Sequence, residues 1–121
     1  MGTPTEIVDR YLAAWNEAND SSRQDLIAEV FAEDAQYVDP IVSSRGRKAI
    51  DGMIAAMQQR FAGLRFTRLG EVDAHNDRIR FRWALAPGDG ESVVEGTDFG
   101  MIGSDGRLAA VSGFLDKVPA Q

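Results

Sequence analysis

Two aspartates stand where the surrounding pattern gives charge little reason to be. Asp39 closes the short apolar run Ala35–Asp39 in "AQYVDPIVSSRG", and Pro40 follows at once. A carboxylate therefore lies where a strand leaves the core and the chain must turn. One reading is turn chemistry, since Asp-Pro is a common way to end a strand. The other is a carboxylate that looks back into a pocket. Asp98 interrupts "VVEGTDFGMI", where Val94, Gly96, Asp98, Gly100 and Ile102 alternate onto one face and Val93, Glu95, Thr97, Phe99 and Met101 onto the other. That carboxylate is either turned to solvent or held in a low-dielectric site. In the second case its pKa rises, and the protonated group can donate a hydrogen bond.

Other chemistries are poorly supplied. The chain has no cysteine, which removes disulfides, thiolate metal sites and cysteine nucleophiles together. Its single histidine, His75 in "AHNDR", sits beside a turn, where a strand-end surface role outweighs a catalytic one. A Ser-His-Asp triad would have to use it. No HExxH, Cys/His cluster or glycine-rich phosphate loop is present; "GDG" and "SDG" are turn glycines. What remains is carboxylate chemistry in an apolar cavity, with neither cofactor nor metal.

The elements that must position these carboxylates are legible in outline. "TPTE" opens a helix, with Thr3 as cap, Pro4 at the first position and Glu6 completing a capping box. Ile7, Val8, Tyr11, Leu12 and Trp15 recur at helical spacing, so the Tyr11 hydroxyl is buried and needs a partner. "NDSSRQDLIAEVFAED" predicts a second helix capped by Ser21 or Ser22, with Leu26, Ile27, Val30 and Phe31 inward. The strand Ala35–Asp39 follows, with Ala35, Tyr37 and Asp39 on one face. "PIVSSRGR" reads as a loop, and "KAIDGMIAAMQQRF" as a third helix through Ile50, Met53, Ile54, Met57 and Phe61. The period then changes to strands: "LRFTRLGEVDAH", "IRFRWALA", "SVVEGTDFGMIG" and "RLAAVSGFLDKV", joined by "NDR", "PGDGE" and "SDG". Hairpin turns imply antiparallel pairing. The predicted class is α+β: three N-terminal helices packed on a curved antiparallel sheet that encloses a pocket.

The 121 residues fit one domain, 1–121, large enough for a core without staples. The net charge of −6 argues against nucleic acid as a partner. Arg65, Arg68, Arg78, Arg80 and Arg82 are interleaved with acids, as on a solvated or dimer-facing sheet surface. No apolar run approaches a membrane span, and "MGTPTEIVDR" lacks the features of a signal peptide. The default expectation is a cytoplasmic protein with no membrane partner.

"TPTEIVDRYLAAWN", "FAEDAQYVDPIVS", the helix start "GRKAI" and "GTDFGMIGSDGRLAAV" together resemble the NTF2-like superfamily, in particular its ketosteroid-isomerase and SnoaL-like polyketide-cyclase branches. The resemblance covers nearly the whole chain in order and implies a cone of three helices and a bent sheet around a deep apolar pocket. It implies roles as well. Arg10-Tyr11 with Ala13-Ala14 matches the helix-1 tyrosine of ketosteroid isomerases, Asp39-Pro40 matches their general base, and Asp98 matches their proton-donating aspartate. The expected function is proton transfer next to a carbonyl, by isomerisation or aldol-type cyclisation. The substrate class is a small apolar organic molecule. The expected pocket wall comprises Trp15, Tyr37, Met57, Phe61, Trp83 and Leu115. A homodimer is expected through the face carrying Phe99, Met101, Arg80 and Arg82. Two alternatives stand: a non-catalytic ligand-binding or assembly module, with Asp98 paired to an arginine such as Arg82, and a hydrolase in which an Asp-Arg-Asp set activates water.

Overall fold

The computed structural model describes residues 2–119. Helix α1 spans Pro4–Asn16 and begins with a complete capping box. The Thr3 hydroxyl accepts from the Glu6 N–H at 3.2 Å, and the Glu6 carboxylate accepts from the Thr3 N–H at 3.0 Å. Its predicted apolar face is buried, Tyr11 and Trp15 included.

Helix α2, Asp20–Val30, differs from expectation at both ends. Asn19 is the cap, accepting from the Ser22 N–H at 2.9 Å, so Ser21 and Ser22 lie within the helix. Phe31 is already extended and opens strand β1, Phe31–Val38, rather than closing the helix. Burial explains the early exit: in the strand Phe31 is fully buried and its ring lies 5.7 Å from that of Tyr11. Strand β2, Ser43–Arg45, lies in the stretch that reads as a loop. Three residues are too few to show a period, and pairing with β1 creates this strand.

Helix α3 spans Arg47–Arg60, followed by β3 (Arg65–His75), β4 (Arg78–Ala86), β5 (Val94–Ile102) and β6 (Leu108–Lys117). Asn76, at φ 51°, makes the tight β3–β4 turn, a conformation that Asn tolerates better than most residues. The six strands lie in the order β2-β1-β6-β5-β4-β3 and do not close into a barrel. Strands β3 to β6 form the predicted antiparallel meander. The sheet is nonetheless mixed, because β1 runs parallel to β6. Hairpin turns force antiparallel neighbours, whereas β1 reaches β6 only after α3 and four further strands, so no turn constrains its direction. Register shifts in β1, β3 and β6 mark bulges, which bend strands locally.

The three helices pack on this sheet, and alternation along β5 is as predicted: Val94, Gly96, Asp98 and Gly100 are buried, while Phe99 and Met101 are exposed. Arg23 is a buried cation that ties α2 to α3, donating to Asp51 and Asp20 at 2.6 Å each. On the outer face Arg80 pairs with Asp73 and Arg82 with Glu95, consistent with a solvated surface. Among the described residues no helix is long and apolar enough to cross a membrane.

Candidate functional site

A cavity of about 550 Å³ opens between the helices and the inner sheet face. Helix α1 supplies Tyr11 and Trp15 to its wall, and β1 with its following turn supplies Tyr37 and Asp39. Met57 and Phe61 come from α3 and its end, Trp83 from β4, Asp98 from β5 and Leu115 from β6. Every site and pocket residue predicted from the sequence thus faces one space. Phe66, Gly113 and Arg60 also line it and were not anticipated. The helical and strand periods place Phe66 and Gly113 on some face, but nothing in the sequence says that the face reaches the cavity.

The two carboxylates are held in different ways. Asp39 Oδ1 accepts from the Ile41 N–H at 2.8 Å and the Val42 N–H at 2.9 Å, and the Asp39 N–H donates to the Val42 carbonyl at 3.0 Å. This is local turn chemistry. Its other oxygen, Oδ2, accepts from the Tyr37 hydroxyl at 2.7 Å, and the side chain lies on the cavity wall. Asp39 is therefore both a turn residue and a pocket residue, because one oxygen serves each.

Asp98 is 2% exposed and has no local partner. Its Oδ2 accepts from the Tyr11 hydroxyl at 2.8 Å and its Oδ1 from the Trp83 indole N–H at 3.0 Å. Burial pushes this carboxyl up to about 6; the Trp83 and Tyr11 hydrogen bonds oppose that shift, and the charges of Asp39 and Asp116 add to it. Burial likewise pushes the Tyr11 hydroxyl well above its usual range, reinforced by the Asp98 charge. Tyr37 is raised for the same two reasons and by its bond to Asp39. Both hydroxyls are therefore neutral donors at any ordinary pH.

Two glycines make this arrangement possible. A Cβ at Gly96 would fall 2.3 Å from Trp83 Cζ2, so only glycine lets the indole lie across β5 and reach Asp98. A Cβ at Gly113 would lie 2.9 Å from Asp98 Oδ1, 3.2 Å from Asp39 Cβ and 3.5 Å from the Tyr37 hydroxyl. The side chains of both aspartates thus converge on one glycine of β6. The Trp15 indole N–H, also buried, has no hydrogen-bond acceptor among the described residues.

Arg82 and His75 lie outside this space. Arg82 pairs with Glu95 at 3.3 Å on the outer face, so neither the Asp98–Arg82 pair nor the Asp-Arg-Asp hydrolytic set assembles; alternation along β4 turns Arg82 away from Trp83. His75 is exposed at the end of β3 and does not line the cavity. Among the described residues no group of His, Cys, Asp and Glu is placed to hold a metal ion.

Three helices on an open mixed sheet, with a cavity between them, is the NTF2-like architecture. Residues 8–111 match the SnoaL-like domain model, and the chain belongs to that family. It is similar to a candidate isomerase of the SnoaL-like family from Agrobacterium tumefaciens, with 41% identity and a TM-score of 0.88 over 93% of this chain and 96% of that one. It also resembles a candidate polyketide cyclase from Sinorhizobium meliloti (24% identity, TM-score 0.70, 93% and 99% covered). An NTF2-like protein from an Exiguobacterium species is likewise similar in fold (21% identity, TM-score 0.72, 91% and 98% covered). Among curated proteins none matches significantly.

Proposed function

We propose that the chain is an enzyme that transfers a proton next to a carbonyl of a small, largely apolar substrate. The observation that carries this reading is the convergence of Asp39 and Asp98 on Gly113, within one cavity and in unlike environments. Asp39 is the base: its Oδ1 is fixed by the turn, its Oδ2 accepts from the Tyr37 hydroxyl, and the residue lines the cavity. It takes a proton from the carbon beside the carbonyl. The C–H electron pair becomes the enolate double bond, and the carbonyl π pair moves onto oxygen.

That oxygen is stabilised from the Asp98 side. When Asp98 is ionised, Tyr11 donates to it. When Asp98 is protonated on Oδ2, the contact reverses, the acid becomes a donor, and the Tyr11 hydroxyl is free to donate to the substrate oxygen. Donors prearranged where charge develops usually contribute the largest catalytic term. Returning the proton to another carbon completes an isomerisation; attack of the enolate on a second carbonyl completes a cyclisation.

The test is conjugation of cyclohex-3-enone to cyclohex-2-enone, followed by ultraviolet absorbance, with solvent deuterium uptake at the α-carbon read by NMR. The wild type is expected to catalyse both and Asp39→Asn neither. Equal rates for the two proteins would end the proposal. A second reading, a non-catalytic ligand-binding module, draws on the three hydrogen bonds that Asp39 already accepts. It predicts ligand binding without deuterium uptake.

The proposal includes a homodimer. Phe99 and Phe114 are 45% and 55% exposed on the outer face, with ring centroids 5.9 Å apart, and Met101 lies exposed beside them on β5. Contiguous exposed apolar surface of this kind marks association. Light scattering at micromolar concentration should give a particle near twice 13.2 kDa. Phe99→Glu should return it to one.

A further inference from the structure

Asp39 and Asp98 share the cavity without a cation. Neither carboxylate takes part in an ion pair among the described residues, whereas the buried cation Arg23 is matched by Asp20 and Asp51 at 2.6 Å each. The basic side chain on the cavity wall is Arg60, which is exposed and lies over the Phe61 ring at 5.6 Å. Buried negative charge without a partner is costly, and hydrogen bonds from Tyr11 and Trp83 relieve only part of that cost.

The walls beside the carboxylates are aromatic. Trp15 packs on Tyr37 at 5.6 Å and on Phe66 at 5.3 Å, and Phe66 packs on Trp83 at 5.3 Å. Aromatic faces attract cations, most strongly where water is excluded. Among the described residues the carboxylate oxygens accept only from neutral donors: the Tyr11 and Tyr37 hydroxyls, the Trp83 indole and two backbone N–H groups.

We propose that the cavity binds an apolar organic cation, an alkyl- or arylalkylammonium, with its charge between the Asp39 and Asp98 carboxylates and its hydrocarbon part against Trp15, Phe66 and Trp83. This binding does not depend on the proton-transfer reading, since it requires no turnover and holds equally for a non-catalytic pocket. The two occupants respond oppositely to pH. Burial raises the Asp98 carboxyl to about 6, so a cation binds better as pH rises through that value and a neutral ketone needing a protonated donor binds worse. The other charged or titratable groups around Asp98 are Tyr11 and Tyr37, which stay neutral, and Asp39 and Asp116, which favour a cation. Arg60, exposed on the wall, opposes it.

Trp15 and Trp83 are the two tryptophans of the chain and both line the cavity, so quenching of their fluorescence reports occupancy. The test compares benzyltrimethylammonium, whose charge does not titrate, with its neutral isostere neopentylbenzene. At about pH 8 the cation should bind the wild type roughly tenfold more tightly or better, and its advantage should shrink at about pH 5. Asp98→Asn and Asp39→Asn should each reduce that advantage while leaving neopentylbenzene nearly unchanged. Equal affinity for the two ligands on the wild type at the higher pH would overturn the inference, whether or not the variants fold. So would an advantage that survives in the doubly substituted protein. Failure of enone isomerisation with cation selectivity intact would remove the proton-transfer reading alone.

Discussion

Asp39 and Asp98 face the same cavity, yet opposite kinds of structure hold them. The contacts of Asp39 lie within three residues: Tyr37, Ile41 and Val42. The contacts of Asp98 come from Trp83, fifteen residues away, and Tyr11, eighty-seven residues away. A locally held carboxylate keeps its geometry as long as its turn survives. One held by distant side chains depends on the packing of a helix against two strands, and its protonation responds to that packing. The same side chain therefore serves as a fixed acceptor in one place and as a tunable acid in the other.

The sharpest way to break this comparison is Asp39→Asn. An amide oxygen can still accept from the Ile41 and Val42 N–H groups, so thermal stability should change little. The loss of a proton acceptor should lower enone turnover by roughly 10²–10⁴-fold, the usual contribution of a general base. A large drop in melting temperature would show that the turn needs the charge and that the contrast is false.

Tyr11→Phe probes the distant arrangement. Turnover should fall by roughly 10²–10³-fold, as for the loss of one oxyanion donor. Because an ionised Asp98 also loses a partner, stability at neutral pH should fall by about 1–3 kcal/mol. Its carboxyl should titrate at higher pH than in the wild type, read by carbon-13 NMR. An unchanged titration would detach Tyr11 from Asp98.

The pH dependence follows in sign and size. The folded-state pKa of Asp98 is raised from 3.8 to about 6, so the folded chain holds this proton more tightly than the unfolded chain. Stability from this group is greatest below about pH 4 and is lost as pH rises to about 6, by roughly 3 kcal/mol at about 1.4 kcal/mol per pKa unit. Denaturant titrations across that window should show the decline, and Asp98→Asn should flatten it. Above about 6 turnover should also fall, about tenfold per pH unit, as the donor form disappears. A stability profile identical in the two proteins would place the penalty elsewhere.

Gly113→Ala disturbs both carboxylates at once. A Cβ 2.9 Å from Asp98 Oδ1 must displace it, whereas Asp39, met at its own Cβ, is held by its turn. The expected cost is about 1–3 kcal/mol, typical of overpacking. The Asp98 carboxyl signal should move more than that of Asp39. Equal movement would mean that the turn holds Asp39 no more firmly than packing holds Asp98.

Much of this protein is written locally. The Thr3–Glu6 capping box, the apolar face of α1 and the alternation along β5 follow from spacing alone, because a helix and a strand have fixed periods. The turn at Asp39 is equally local, since Asp and Pro act on their own backbone. The resemblance to NTF2-like proteins placed Tyr11, Asp39 and Asp98 in one pocket before any coordinate. Tertiary structure alone decided the rest. The parallel run of β1 beside β6, the strand β2 and the early end of α2 at Phe31 depend on partners far along the chain. So do the Tyr11–Asp98–Trp83 contacts and the convergence of the two aspartate side chains on Gly113. Periodicity says which face a side chain occupies; which distant group it meets there is settled only when the faces are brought together.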